Sequence, residues 1–206
     1  MKEIVKKRLI QTVSNAIFLS ALALVPTLAV YIDSIIFGHS IGELSVTEIT
    51  QAVFLLITVA IFLQGAIRFP ELRGGFVLIA GFFACALIRE MDGFLDHIWH
   101  GFWLWPAITV AAGSVIYAFV CGRNVFATLV NFASTLEYYF MLFGMLTLFV
   151  FSRTFGSGSL LWKEVMGEGY THGFKSALQE GLELYGYIFI LYGAVRLWRK
   201  NFITHP

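Results

Sequence analysis

The chain has 206 residues, of which 58% are hydrophobic and only 13% are charged, and its formal net charge is +1 at pH 7. Its mean hydropathy is +0.79. This composition lies outside the range of soluble globular domains, and the chain has no basic tail of the kind that binds nucleic acid. We therefore expect an integral protein of the lipid bilayer and do not expect nucleic acid as a partner.

Apolar stretches along the chain predict an all-α bundle of transmembrane helices. About 30 Å of hydrocarbon takes roughly 20 helical residues to cross, and six stretches are that long or nearly so. The predicted helices are 13–37, 48–67, 75–97, 102–121, 125–152 and 179–198. The connections RFPELRGG (68–75) and CGRN (121–124) contain the Pro, Gly and Asn of tight turns, so they predict antiparallel neighbours. The whole chain, 1–206, is expected to form one domain, with 153–178 as its long outer loop.

Lysine and arginine are distributed unevenly between alternate loops. One side is predicted to carry Lys2, Lys6, Lys7, Arg8, Arg68, Arg73, Arg123, Arg196, Arg199 and Lys200, and the other only Arg153, Lys163 and Lys175. Because loops rich in positive charge stay in the cytoplasm, this asymmetry predicts that both termini are cytoplasmic. We expect a multi-pass protein of the plasma (inner) membrane.

Ionisable residues gather near the outer ends of the third and sixth predicted helices. The stretch IREMDGFLDHIWHGFW, residues 88–103, ends the third apolar run. At about 1.5 Å of rise per residue, Arg89 lies at the depth of Glu183, and Asp92 lies at the depth of Glu180. Successive residues of a helix are turned by about 100°, so residues three, four or seven apart share a face of a continuous helix. This spacing builds two polar faces. These faces comprise Arg89, Asp92, Asp96 and His100 in the third helix and Glu180, Glu183 and Tyr187 in the sixth.

Both polar faces are expected to point into the bundle, because a charged side chain on lipid costs about 2.5 to 3.5 kcal/mol near the bilayer centre. The third and sixth helices should therefore meet, with Glu137 of the fifth helix reaching toward them. The first hypothesis is a pocket that opens outward and serves small-ion or proton-linked transport or sensing, since carboxylates inside membranes mark ion pathways and proton relays. Its residues are Arg89, Glu90, Asp92, Glu137, Glu180 and Glu183.

A second hypothesis is a divalent metal site in a metal-dependent intramembrane enzyme. Imidazole and carboxylate ligands suit zinc, iron or manganese, and helical bundles build such sites from facing helices. The candidate ligands are Asp96, His97 and His100, with His172 of the outer loop as a further one and Asp92 and Glu180 beside them. The sequence has no HExxH motif and no pair of ExxH motifs. The fixed charge of Arg89 places such a metal nearer to the histidines.

A third hypothesis is purely structural, a membrane subunit in which the charges only pair helices. Arg89 would then pair with Glu183 or Glu137 and fix the order of the helices, because buried charges are usually paired. Asp33 and His39, near the outer end of the first helix, would be solvated groups at the membrane interface. A homo-oligomer or a partner membrane subunit fits so small a bundle, although the sequence specifies no interface.

Two further expectations concern polar residues outside these faces. Gln51 is placed in the inner half of the bundle, where the polar residues do not ionise. The centre of the outer loop, SLLWKEVM, is amphipathic and is expected to lie on the membrane surface or to cover the charged cluster as a lid.

Overall fold

A computed structural model describes residues 2–37, 45–121, 124–156 and 158–204. Over these residues the chain is helical and contains no strand. The α-helices are α1 (Lys2–Tyr31), α2 (Val46–Arg68), α3 (Arg73–Glu90), α4 (Asp92–Leu95), α5 (Leu104–Cys121), α6 (Val125–Ala133), α7 (Leu136–Leu146), α8 (Ser159–Met166) and α9 (His172–Thr204). Wider π-helical turns follow α1 at Ile32–Ile36 and α7 at Thr147–Gly156, and short 3-10 turns lie at Pro70–Leu72 and Gly167–Gly169.

Several helices are long and apolar enough to cross a membrane. Within the described residues these are Glu3–Ile36, Val46–Arg68, Pro70–Glu90 and Leu136–Gly156. A fifth candidate span is the pair Leu104–Val120 and Val125–Ala133, whose two halves are bent by 111°. The helix α9 is longer, but its predicted span carries Glu180, Glu183 and Arg196, which lower its hydropathy. The chain is therefore an all-helical membrane protein with four or five such spans in the part that the structure describes.

The helix α2 lies at the centre of the bundle and packs against both α3 and α9. Its buried residues recur at helical spacing along one stripe, namely Thr47, Gln51, Leu55, Thr58, Val59, Phe62 and Ala66. On the other side of α9 lie α7 and the π-helical segment that continues it. There the two backbones approach closely, since a Cβ added to Gly144 would lie 2.5 Å from the carbonyl oxygen of Gly186. Glycine at this crossing lets α7 and α9 pack backbone to backbone.

The helix α1 meets α9 in antiparallel orientation. Tyr185 of α9 donates its hydroxyl hydrogen bond to the carbonyl of Ala23, and Val30 lies beside Gly181. Residues further along α1 therefore face residues earlier in α9. The amino-terminal end of α1 and the carboxyl-terminal end of α9 consequently lie at the same end of the bundle.

A buried aspartate joins the end of α1 to the start of α2. Asp33, in the π-helical turn after α1, is only 3% exposed. Its Oδ1 accepts from the backbone N–H of Val46 at 2.8 Å, and its Oδ2 accepts from the N–H of Thr47 at 2.9 Å and from the Thr47 hydroxyl at 2.6 Å. The expectation that Asp33 is solvated was wrong, because its carboxylate satisfies the free donors at the start of α2. His39 lies outside the described residues.

Two helices end earlier than their apolar stretches predict. The third predicted helix, 75–97, stops at Glu90, after which Asp92 Oδ1 accepts from the backbone N–H of Gly93 at 2.7 Å and starts the four-residue α4. The fifth, 125–152, breaks after Ala133, where Thr135 accepts from the N–H of Tyr138 at 3.1 Å and caps α7. In both places a short polar side chain bonds to nearby backbone and competes with a continuous helix.

Candidate functional site

The structure gathers three of the predicted pocket residues, Glu90, Glu180 and Glu183, into what we call the glutamate cluster. Glu90 ends α3, whereas Glu180 and Glu183 lie one turn apart on α9. Glu183 is close enough to repel both of the others electrostatically. The expected meeting of the third and sixth helices takes place through side chains, since α2 packs between α3 and α9.

A tyrosine makes the link between α9 and α3. Tyr187 is only 2% exposed, and its hydroxyl donates to Glu90 Oε1 at 2.6 Å. Tyr187 lies one turn after Glu183 on α9, so its ring extends past α2 to reach the end of α3. The hydrogen bond is neutral on the donor side and orients Glu90, which also interacts electrostatically with Arg89 without a salt bridge to it.

The carboxylate of Glu183 lies against the π-helical segment that follows α7. Its Oε1 accepts from the Ser152 hydroxyl and from Gln179 Nε2, each at 3.0 Å. Ser152 is completely buried, and Glu183 is 7% exposed. Both partners are neutral, so this carboxylate is also oriented without being neutralised.

The carboxylate of Glu180 lies against α2. Gln51 Nε2 donates to Glu180 Oε2 and to the Glu180 carbonyl, both at 3.2 Å. Gln51 is completely buried, and its Oε1 accepts no hydrogen bond from any described residue. Gln51 lies at the level of Glu180, next to the cluster, so the expectation that the two residues lie in opposite halves of the bundle was wrong.

No lysine or arginine of the described residues forms a salt bridge with the glutamate cluster. The hydrogen-bond donors to it are instead a phenol, an alcohol and two amides. Carboxylates in a poorly solvated place are costly unless a positive charge balances them. The arrangement therefore holds three carboxyl groups that the surrounding described side chains orient and that no described lysine or arginine pairs with directly.

Arg89 does not join the cluster. Its Nη1 lies 3.3 Å from Asp92 Oδ2, the two side chains are 45% and 43% exposed, and the guanidinium lies over the Trp103 ring at 5.9 Å from the centroid. The predicted pairing of Arg89 with Glu183 or Glu137 was wrong. Arg89 lies in the last turn of α3 and pairs instead with Asp92, just beyond the end of that helix.

Glu137 lies at the opposite end of α9. It is 3% exposed, with Arg196 Nε at 3.7 Å and Lys200 Nζ at 3.6 Å. At about 1.5 Å of rise per residue, Arg196 lies about 24 Å along α9 from Glu180. The expectation that Glu137 reaches the pocket was wrong, because α7 begins at Leu136 and thereby places Glu137 in its first turn.

The histidines proposed as metal ligands are held apart by local contacts. His97 Nδ1 lies 2.8 Å from the Gly93 carbonyl, and the fully exposed His100 has its Nδ1 3.1 Å from Asp96 Oδ2. His172, at the start of α9, faces Ser176 at 3.5 Å. No group of three His, Cys, Asp or Glu side chains among the described residues could hold a metal ion. The structure thus gives the divalent metal hypothesis no support.

The outer loop is shorter than expected and largely helical. Its helix α8 is anchored by Trp162, which donates to the Phe155 carbonyl at 2.7 Å and packs edge-on against Phe155 and Phe174. These contacts tie α8 to the end of the π-helical segment and to the start of α9.

Several residues of the site escaped the sequence analysis. Ser152 and Gln179 lie at the predicted boundaries of the outer loop and were given no role, and Gln51 was expected in the opposite half of the bundle from Glu180. Each is a polar residue in or beside an apolar stretch at the depth of Glu180 or Glu183, which is the pattern that would have identified it.

Comparisons of this chain with known protein families, with characterised proteins and with solved structures give no match.

Proposed function

We propose that this chain is a six-span protein of the plasma membrane, with both termini in the cytoplasm, that transports or senses a small cation or the proton through its glutamate cluster. In this proposal α9 is the sixth span, and the cluster lies in the outer half of the bilayer. The antiparallel contact of α1 with α9 supports the shared side of the termini, and the lysines and arginines at those two ends support the cytoplasmic side.

The observation that carries the proposal is the set of carboxylates bonded only to neutral donors. Each glutamate of the cluster has its own phenol, alcohol or amide partner, so its position is fixed. Charges placed within membrane proteins usually pair with one another or lie along ion or proton pathways. A cluster that keeps its negative charge is suited to take up a cation or protons from the outer side and to release them.

Ion flux in proteoliposomes tests the proposal directly. Purified full-length chain is reconstituted, and internal pH and cation content are followed after a step in external pH or salt. Glu183→Gln keeps the size and shape of the side chain and its ability to form hydrogen bonds, but it removes the charge. We expect this change to reduce the flux at least about tenfold, the scale of roughly 1.4 kcal/mol.

Glu164→Gln is the matched control, because Glu164 is an exposed glutamate of α8. It should leave the flux unchanged. For a sensor the corresponding readout is a change in tryptophan fluorescence on the same steps, again lost in Glu183→Gln. Flux and fluorescence that are absent in the unmodified protein, or that are the same in both variants, would refute the proposal.

A further inference from the structure

The amide oxygen of Gln51 is the second unusual feature of this site. Gln51 is completely buried on α2, and its Nε2 is committed to Glu180, yet its Oε1 accepts no hydrogen bond from the described residues. A buried acceptor without a hydrogen-bond partner destabilises the folded state. Its amide nitrogen is bonded to the Glu180 carboxylate, so the free oxygen belongs to the same amide group that contacts the cluster.

Several oxygen atoms lie near the amide group of Gln51. Glu180 contributes carboxylate oxygens, Gln51 contributes its free amide oxygen, and Glu183 lies one turn further along α9. Oxygen ligands suit hard cations, whereas zinc and iron favour imidazole and thiolate. The histidines nearest in sequence make contacts elsewhere, as described above.

The charge of the ligands favours a monovalent ion. Calcium takes six to eight oxygens, often with several carboxylates, and no three acidic, histidine or cysteine side chains among the described residues converge closely enough to hold a metal ion. Glu90, Glu180 and Glu183 are each held by a different partner, which keeps them from closing on one centre. One carboxylate with neutral amide and carbonyl oxygens matches the demand of an alkali cation.

The backbone near the cluster is also of a kind found at functional sites. Ser152, the partner of Glu183, belongs to the π-helical segment Thr147–Gly156. A second π-helical turn, Ile32–Ile36, ends α1 and holds the start of α2, the helix that carries Gln51. Wide helical turns of this type are frequent at functional sites.

We propose that Gln51 Oε1 and the Glu180 carboxylate bind an alkali cation, and Na⁺ is the first ion to test. This inference rests on the proposed function, because it names the cation that the glutamate cluster takes up. In the proposed cation site, Gln51 is a ligand and Glu183 supplies negative charge from the next turn of α9.

Thermal unfolding of the purified, detergent-solubilised chain tests the cation site. The melting temperature is measured as NaCl replaces choline chloride at constant ionic strength. We expect it to rise with NaCl and to saturate, because a ligand that binds the folded state stabilises it. Gln51→Leu and Glu180→Gln should each raise the half-saturating NaCl concentration at least about tenfold, because they weaken binding.

Gln64→Leu provides a control on the same helix. Gln64 is another glutamine of α2, but its Oε1 accepts from Trp198 Nε1 at 2.7 Å, away from the cluster. This variant should keep the half-saturation of the unmodified chain. Gln51→Glu, which retains an acceptor oxygen and adds charge, should shift half-saturation to lower NaCl and serves as the decisive variant if Gln51→Leu does not fold.

Failure of this inference is distinguishable from failure of the proposed function. A melting temperature that does not depend on NaCl, or that depends on it equally in Gln51→Leu, would overturn the cation site even when the reconstituted protein moves protons. Stabilisation by CaCl₂ in place of NaCl would overturn the monovalent assignment. Saturable stabilisation by NaCl that is lost in Gln51→Leu supports the site, even when no flux is found.

Discussion

Removing the carboxylate of Asp33 is the sharpest test of the fold around the site. The sequence predicts a solvated interfacial group, whereas the structure shows a side chain that is 3% exposed and accepts three hydrogen bonds from the first residues of α2. The two descriptions differ in their energetic consequence. A solvated surface group changes stability by less than about 0.5 kcal/mol when it is replaced.

The expected loss of stability in Asp33→Ala follows from the hydrogen-bond donors that the change leaves without an acceptor. The backbone N–H groups of Val46 and Thr47 lose their acceptor, and Thr47 is fully buried together with its hydroxyl. Loss of a helix cap costs about 0.5 to 2 kcal/mol, and an unsatisfied buried donor costs about 1 to 3 kcal/mol. Because these contributions overlap, we expect a total of about 2 to 4 kcal/mol. Asp33→Asn keeps one acceptor oxygen and should cost about 1 kcal/mol.

The assay is unfolding in mixed micelles by added SDS, followed by tryptophan fluorescence. Asp92→Ala is the control, because Asp92 is a 43% exposed partner of Arg89 and such pairs contribute below about 1 kcal/mol. Equal losses of stability in Asp33→Ala and Asp92→Ala would show that Asp33 does not hold α2. Since Gln51 lies one turn after Thr47, Asp33→Ala should also weaken the NaCl dependence of the melting temperature.

Three further predictions concern the contacts of α9. Tyr187→Phe removes the hydroxyl that orients Glu90 and should reduce cation flux about tenfold with little change in the amount of folded protein, measured by proteoliposome flux and size-exclusion chromatography. Gly144→Ala places a Cβ 2.5 Å from a carbonyl oxygen of α9 and should cost about 1 to 3 kcal/mol in SDS unfolding, whereas Gly113→Ala, which meets nothing within 4 Å, should cost nothing. Glu137→Gln should lower stability by about 1 to 3 kcal/mol in SDS unfolding and leave the flux unchanged, because Glu137 is buried beside two basic side chains far from the cluster.

Helical depth and periodicity predicted the part of the site that lies within continuous helices. Glu180 and Glu183 were expected on one face of the sixth helix at the depth of the end of the third, and the structure brings them to Glu90 there. This inference needs only the rise and the turn of a helix, which are constant. It failed where the helix was not continuous, as at Asp92.

Hydropathy could not locate these interruptions. The apolar stretch 125–152 contains Ser134 and Thr135, which are tolerated inside membrane helices and are also good capping residues. Whether Thr135 continues a helix or caps a new one depends on tertiary packing, and here α7 starts afresh against α9. That single break displaced Glu137 from the predicted pocket to the other end of the bundle.

The contrast between the two ends of α9 is the strongest argument against a purely structural role for the glutamate cluster. Near its carboxyl-terminal end, the buried Glu137 lies within 3.7 Å of Arg196 Nε and 3.6 Å of Lys200 Nζ, the arrangement by which a protein neutralises a buried acid. Toward its amino-terminal end, Glu180 and Glu183 are held by an alcohol and amides alone. Helix pairing would be served equally well by the first arrangement in both places. The chain places two basic side chains beside one buried acid and holds Glu180 and Glu183 by neutral donors, and this contrast favours the proposed ion binding over a purely structural role.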